Sequence, residues 1–399
     1  MTVIPFEKSN KTKSVLHLSF TKKTPVSRSE SKPEPAHAVR AAAIVYCEGN
    51  FGQTDGKTAN GLVRHSEKFE ILSIIDSTQS GRDAGELLDG KRIEIPVLSN
   101  LEEALAGASR KPNYFIFGVA PATGMLSPTE RSVVLKALEY GMHVVNGLHE
   151  FLSDDPVFVA AATKHNAKII DVRKPRSKKD LRLFSDTVRR VECPRIAVLG
   201  TDCAIGKRTT ASILTRELVK RGIRAVMVST GQTGLMQGGR YGVVLDAVPS
   251  QFCCGELEAT IWEAFEAEKP DVIIIEGQGA LSHPAFCTSA FILRGSAPDG
   301  VILQHAPKRK HRCDFEGMAM PEPRSEIDLI EAFADTKVIG VTINHENMAD
   351  AEISAAICSY ESALGIPVTD ALARPEELLV NMVFSSFPEL EAKQDACVG

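Results

Sequence analysis

"IAVLGTDCAIGKRTT", residues 196–210, joins an aliphatic run to a glycine-bounded turn and then to a helical pattern. Ile196, Ala197, Val198 and Leu199 read as a buried strand. Residues 200–207 fit G-x-x-x-x-G-K at the strand-to-helix junction, the context a phosphate-cradling loop requires. Backbone N–H groups of such a turn, added to those of a helix N-terminus, favour a bound polyphosphate. The expected phosphate-binding residues are therefore Gly200, Thr201, Cys203, Ala204, Ile205, Gly206, Lys207, Arg208, Thr209 and Thr210. Arg208 stands where the common pattern has Ser or Thr, which shifts the hydroxyl role for phosphate or magnesium to Thr209, with Thr210 behind it.

Outward from this turn, the chain alternates apolar runs with helical patterns, the signature of parallel sheets covered on both faces. Strands are expected at 194–200, 224–230, 242–248, 271–277, 299–305 and 337–344, and helices near 206–221, 255–268, 325–334 and 350–364. An earlier set of runs, at 41–47, 69–76, 113–120, 143–147 and 168–173, predicts a second α/β unit with helices near 56–65, 100–107, 128–140 and 156–165. The fold class is thus α/β with two doubly wound parallel-sheet domains, a Rossmann-like one over 41–172 and a P-loop NTPase-like one over 194–385. The basic run "RKPRSKKDLR" (173–182) opens a linker over 173–193. Residues 1–40 hold eight Lys or Arg against three Glu and read as a disordered or targeting tail; 386–399 reads as a second tail.

Composition narrows the function. A net charge of −5 with 24% charged residues lacks the basic excess of a nucleic-acid binder. No apolar run approaches the roughly 20 residues that span a bilayer. Nine scattered cysteines without a scaffold spacing point to a reducing compartment, hence the cytoplasm. A small-molecule substrate and a homo-oligomer are the expected partners.

Further candidates lie at strand tips, where ligands of such sheets bind. Glu276 ends "DVIIIE" and is placed to hold Mg²⁺ with Thr209, a hard cation preferring oxygen ligands. Asp202 is a second acid within the turn. His283, after the Glu276 loop, suits proton transfer from an amine. Thr230, Gln232 and Thr233 in "STGQTG", together with Asp246, Gln278, His305, Lys57 and His149, are candidate substrate contacts, and Arg309 or Arg312 a carboxylate clamp. Cys203, at a helix start, reads as packing or as an acyl carrier. His305, His311 and Cys313 lack a fourth ligand at zinc-site spacing. In the first half "GQTDGKT" (52–58) is one residue short of a P-loop, and no intact G-x-G-x-x-G follows the first strand.

"GTDCAIGK" with "IIEGQGA" resembles the dethiobiotin synthetase branch of P-loop proteins, which implies ATP and Mg²⁺ activating a carboxylate for attack by an amine. The stretches "GKTANGL", "FGVAPATG", "NGLHEFL", "DVRKP", "STGQTG", "DAVPSQF", "EGQGALSHPAF" and "PDGVILQHAP" resemble, in order and spacing over 41–385, the D-glutamate N-acetyltransferase family. That resemblance implies a Rossmann-like and a P-loop domain, acetyl-CoA as donor, and acetylation of the amino group of a small acidic amino acid. Asp202, His283 and Glu276 are then the catalytic candidates. An ATP/Mg-dependent amide ligase or carboxylase and a nucleotide-sensing regulatory protein are the alternatives.

Overall fold

Aliphatic side chains alternate between the two faces of every central strand, and helices cover both. The computed structural model describes residues 40–398 apart from Ala122 and Asp314, so the expected N-terminal tail lies outside the described residues. In the first domain the order is β1 (Ala41–Tyr46), α1 (Lys57–Arg64), β2 (Phe69–Ile75), α2 (Ala84–Asp89), β3 (Val97–Leu98), α3 (Leu101–Ala106), β4 (Tyr114–Phe117), α4 (Pro128–Glu139), β5 (His143–Asn146), α5 (Pro156–Lys164) and β6 (Ile169–Asp171). These strands form one parallel sheet in the order β3-β2-β1-β4-β5-β6. The order reverses between β1 and β4, the crevice where dinucleotides bind in folds of this plan. Asp76, at the tip of β2 where such folds place a ribose-binding acid, is instead fully used within the chain. It accepts from Phe51 N–H at 3.0 Å and from Thr78 N–H at 3.0 Å, and Thr78 Oγ1 donates to it at 2.6 Å.

The second domain runs β7 (Arg195–Gly200), α6 (Lys207–Lys220), β8 (Ala225–Ser229), α7 (Gln232–Gln237), β9 (Tyr241–Gly242), α8 (Ser250–Glu268), β10 (Val272–Glu276), α9 (Thr288–Ser296), β11 (Gly300–His305), β12 (His311–Arg312), β13 (Phe315–Ala319), α10 (Pro323–Phe333), β14 (Lys337–Ile343), α11 (Asp350–Leu364), β15 (Val368–Thr369), α12 (Glu376–Ser386) and α13 (Pro388–Val398). The parallel sheet reads β15-β14-β11-β7-β10-β8-β9, with an antiparallel β12–β13 hairpin beside it. Ile196, Val198, Val272 and Ile274 pack on one face with α6 and α12; Ala197, Leu199, Ile273 and Ile275 pack on the other with α8 and α9. Each Ile, Leu or Val side chain among these contributes about 1.5–3 kcal/mol on burial. The turn at 200–207 thus springs from the middle of the sheet, between β10 and β11.

Three local expectations change. The run at 242–248 keeps only Gly242 in a strand, because β9 is the sheet edge and the chain must turn into α8 past Pro249; Leu245–Ala247 is a 3₁₀ turn. The stretch taken for a C-terminal tail carries α13, with Leu390 buried against the sheet's helical layer. The basic connector is tied down: Arg182 pairs with Glu256 on α8, and Glu258 accepts from Ser185 N–H and Val188 N–H. Short α7 joins the two domains. Met236 is buried in the first domain's core, and Gln237 donates to Gly61 O and, at 2.7 Å, to His65 O. Among the described residues no helix is long and apolar enough to cross a membrane.

Candidate active site

The turn after β7 is shaped by two left-handed residues, Ala204 (φ 50°) and Gly206 (φ 103°). Gly206 caps α6 with no side-chain hydrogen bond, so the N–H groups of the first helical turn are left for an anion. The carbonyls of the turn are held from outside. Arg309 donates to Cys203 O at 2.9 Å and to Ala204 O at 3.2 Å, and Asn344 donates to Ile205 O at 3.2 Å. Thr201 is anchored by its N–H to Gln304 O at 3.0 Å and by its hydroxyl to His305 Nδ1 at 2.9 Å.

Lys207 is buried with its Nζ donating to Asp202 O. Burial pulls its pKa down to about 8 from 10.5, against the opposing pull of Asp202. Below pH 8 the ammonium is charged and attracts an anion; above it that attraction is lost, and binding must take up a proton. Affinity for a phosphate-bearing anion is therefore expected to fall as pH rises from 7 to 9.5, by up to about tenfold per unit above the lysine pKa. Calorimetric titration across that range checks this, and a flat profile would contradict it.

Glu276 ends β10 in the strand slot next to β7. Its Oε2 accepts from Thr230 N–H at 3.3 Å and its Oε1 lies 3.6 Å from Arg208 Nη1. Burial raises the carboxyl pKa while Arg208 lowers it. Thr230 Oγ1 donates to Glu276 O at 2.9 Å, and Gln278 donates to Thr230 O, so these three predicted residues form one strand-tip network. Thr209 is exposed on α6, and Thr210 turns inward, donating to Gln304 Oε1 at 2.6 Å.

On the other side of the turn Asp202, Cys203 and His283 bring their ligand-type atoms within 4.8 Å of one another. Asp202 is fully buried: its Oδ2 accepts from Cys313 N–H at 2.6 Å and from Arg309 Nη1 at 3.4 Å. Its Oδ1 accepts no hydrogen bond among the described residues and lies 3.8 Å from His283 Nε2. His283 Nδ1 accepts from Ala285 N–H at 3.2 Å, which leaves the ring proton of the neutral imidazole on Nε2, facing Asp202. The Phe286 ring stacks on His283 with centroids 4.6 Å apart. Arg309 spends its fork on Glu346, at 2.9 Å twice, whereas Arg312 reaches Ser282 Oγ at 2.8 Å and Thr201 O at 3.5 Å.

The remaining predicted residues fall elsewhere. His305 lies behind the turn, between Thr201 and Tyr360, and burial lowers its pKa to about 4, so it is a neutral support. Asp246 pairs with Arg173, whose Nε donates to Gly147 O; His149 lies in their field. Thr233 meets Thr58 at 3.3 Å across the domains, Gln232 is buried beside Gly147, and Lys57 is exposed at the start of α1. Other than His305, these residues line the junction between domains, away from the Asp202–His283 group. Sequence reasoning missed Gln304 and Asn344. Gln304 alone had a signal: a polar residue inside the apolar run "VILQH".

The fold and the turn define a two-domain α/β protein, one domain Rossmann-like and the other a P-loop domain. The second half matches the model described as a domain of unknown function, DUF1611_C, P-loop domain, over residues 182–380, and the first matches DUF1611_N, Rossmann-like domain, over 77–175. The chain belongs to the DUF1611 family. A DUF1611 family protein from Anabaena variabilis has a similar crystal structure, with TM-score 0.81 and 30% identity, covering 87% of this chain and all of that one. A D-glutamate N-acetyltransferase from Tritonibacter scottomollicae is 32% identical over 276 residues, 68% of this chain and 80% of the relative. Another of the same name from Pseudoalteromonas sp. is 32% identical over 265 residues, 65% and 77% of the two chains. This protein is, like them, an enzyme.

Proposed function

We propose that this enzyme acetylates the amino group of a small acidic amino acid, with D-glutamate as the first candidate and acetyl-CoA as donor. The names of the two curated relatives support the reaction. The observation that carries it at the site is the buried Asp202–His283 pair, with Asp202 Oδ1 accepting no hydrogen bond among the described residues, next to an anion-binding turn. Bound acetyl-CoA supplies the activated acyl carbonyl.

Lys207 and the uncapped start of α6 hold a phosphate of that donor, and Arg312, whose fork is not spent on a carboxylate, attracts an acid group of the amino acid. The attacking amine is neutral and passes a proton to Asp202 Oδ1; the departing thiolate regains one, so Asp202 ends as it began. His283 Nε2 faces the same oxygen from 3.8 Å. Phe286, 39% exposed and stacked on His283, is the part of the wall that substrate displaces.

Purified full-length protein incubated with D- and L-glutamate is expected to release free thiol from acetyl-CoA with no ATP consumed. Lys207 beside Glu276 also suits an ATP-dependent ligase. Amine-dependent release of ADP and phosphate from Mg-ATP would replace acetyl transfer by that reaction, and nucleotide binding without turnover would make the protein a sensor.

A further inference from the structure

In P-loop sites of the nucleotide-hydrolysing kind, a hydroxyl on the residue after the lysine shares a magnesium ion with an acid at a neighbouring strand tip. Here those two positions carry Arg208 and Glu276, and their side chains meet each other, Nη1 3.6 Å from Oε1. Both are withdrawn from solvent, at 22% and 8% exposure. Arg208 is also packed from behind: a Cβ on Gly234 of α7 would stand 3.0 Å from its Nη1 and 2.2 Å from Ser229 Oγ.

Neither of the threonines expected to take that role on α6 is set beside this pair. Thr210 is committed to Gln304, which also accepts from Thr342, and Thr209 is exposed. A buried carboxylate needs a counter-charge, and this one has it within its own chain. A dication brought to Glu276 would have to displace a guanidinium and then sit beside it. The residues do not fit the magnesium expected from the turn.

We propose that Arg208 replaces the divalent cation, so that the turn takes a phosphate-bearing ligand of the coenzyme A type metal-free, with Lys207 and Arg208 supplying the positive charge. This rests on the acetyl-transfer reading and narrows it: the ligand is a phosphate ester that is gripped and not cleaved.

Full-length protein is titrated calorimetrically with coenzyme A and with ATP, each in EDTA and in excess MgCl₂. For the wild type, the coenzyme A Kd is expected to agree within about threefold between the two conditions. Arg208→Thr, which recreates G-K-T, is expected to weaken coenzyme A in EDTA by about tenfold or more, the loss of one charge-assisted contact, and to regain affinity with Mg²⁺. Without nucleotide, MgCl₂ is expected to raise the Tm of Arg208→Thr and leave that of the wild type unmoved. Arg208→Lys keeps the charge and stays metal-independent. Tenfold or greater strengthening of wild-type binding by Mg²⁺, or its loss in EDTA, overturns the proposal. If thiol release from acetyl-CoA persists in that case, the function stands and only the metal-free site falls; if ATP is cleaved, both fall.

Discussion

Asp202→Asn is expected to lower kcat/KM for acetyl transfer by about 10²–10⁴, the range set by losing a positioned general base, while changing the coenzyme A Kd only a few-fold. Asparagine matches the volume of the buried acid and keeps an oxygen for Cys313 N–H, so packing survives. What disappears is the charge and the Oδ1 acceptor that faces His283 at 3.8 Å. Steady-state kinetics with saturating acetyl-CoA, beside calorimetry, separate the two effects. A drop smaller than about tenfold would remove Asp202 from the role of base. The substitution also removes the negative charge opposite Arg309, so a Tm measurement must show that the turn is intact before the kinetics are read.

Gly277→Ala is expected to destabilise the fold by about 3 kcal/mol or more, at or above the top of the usual overpacking range. The added Cβ would stand 2.0 Å from Val198 O, 2.9 Å from Val198 C and 3.0 Å from Leu199 Cα. These are backbone atoms of β7, inside the sheet, and cannot rotate away as a side chain would. The strain falls between β7 and β10, so the phosphate turn and Glu276 are pushed apart. Urea unfolding should show a lower midpoint, and any folded fraction should bind coenzyme A poorly. Gly317, where a Cβ meets nothing within 4 Å, is the control, with an expected change within about 0.5 kcal/mol on Gly317→Ala. A loss under about 1 kcal/mol at Gly277 would mean that the strand ends yield more readily than their burial implies.

Much of the architecture was readable along the chain because its signals are local. Continuous aliphatic runs such as 272–275 specify strands covered on both faces, and Gly200, Gly206 and Lys207 specify the turn by backbone permissiveness and charge alone. Short elements were less legible. Residues 232–237 form helix α7 although no helix was expected there, since tertiary contacts of Met236 and Gln237 with the other domain stabilise it. Residues 388–398 read as tail because one buried leucine is too weak a periodic signal.

By itself, then, the sequence determined two parallel-sheet domains, the phosphate-type turn, and the acids and histidine that accompany it, because each depends on neighbours within a few residues. Only the tertiary structure decided how these side chains are partnered. It set Glu276 against Arg208, gave Asp202 to His283 and Cys313, sent Asp246 to Arg173, and placed His305 behind the turn. Those partners lie tens of residues apart in sequence, and burial makes each pairing exclusive: a charge removed from water is neutralised by whichever opposite group the fold brings within reach.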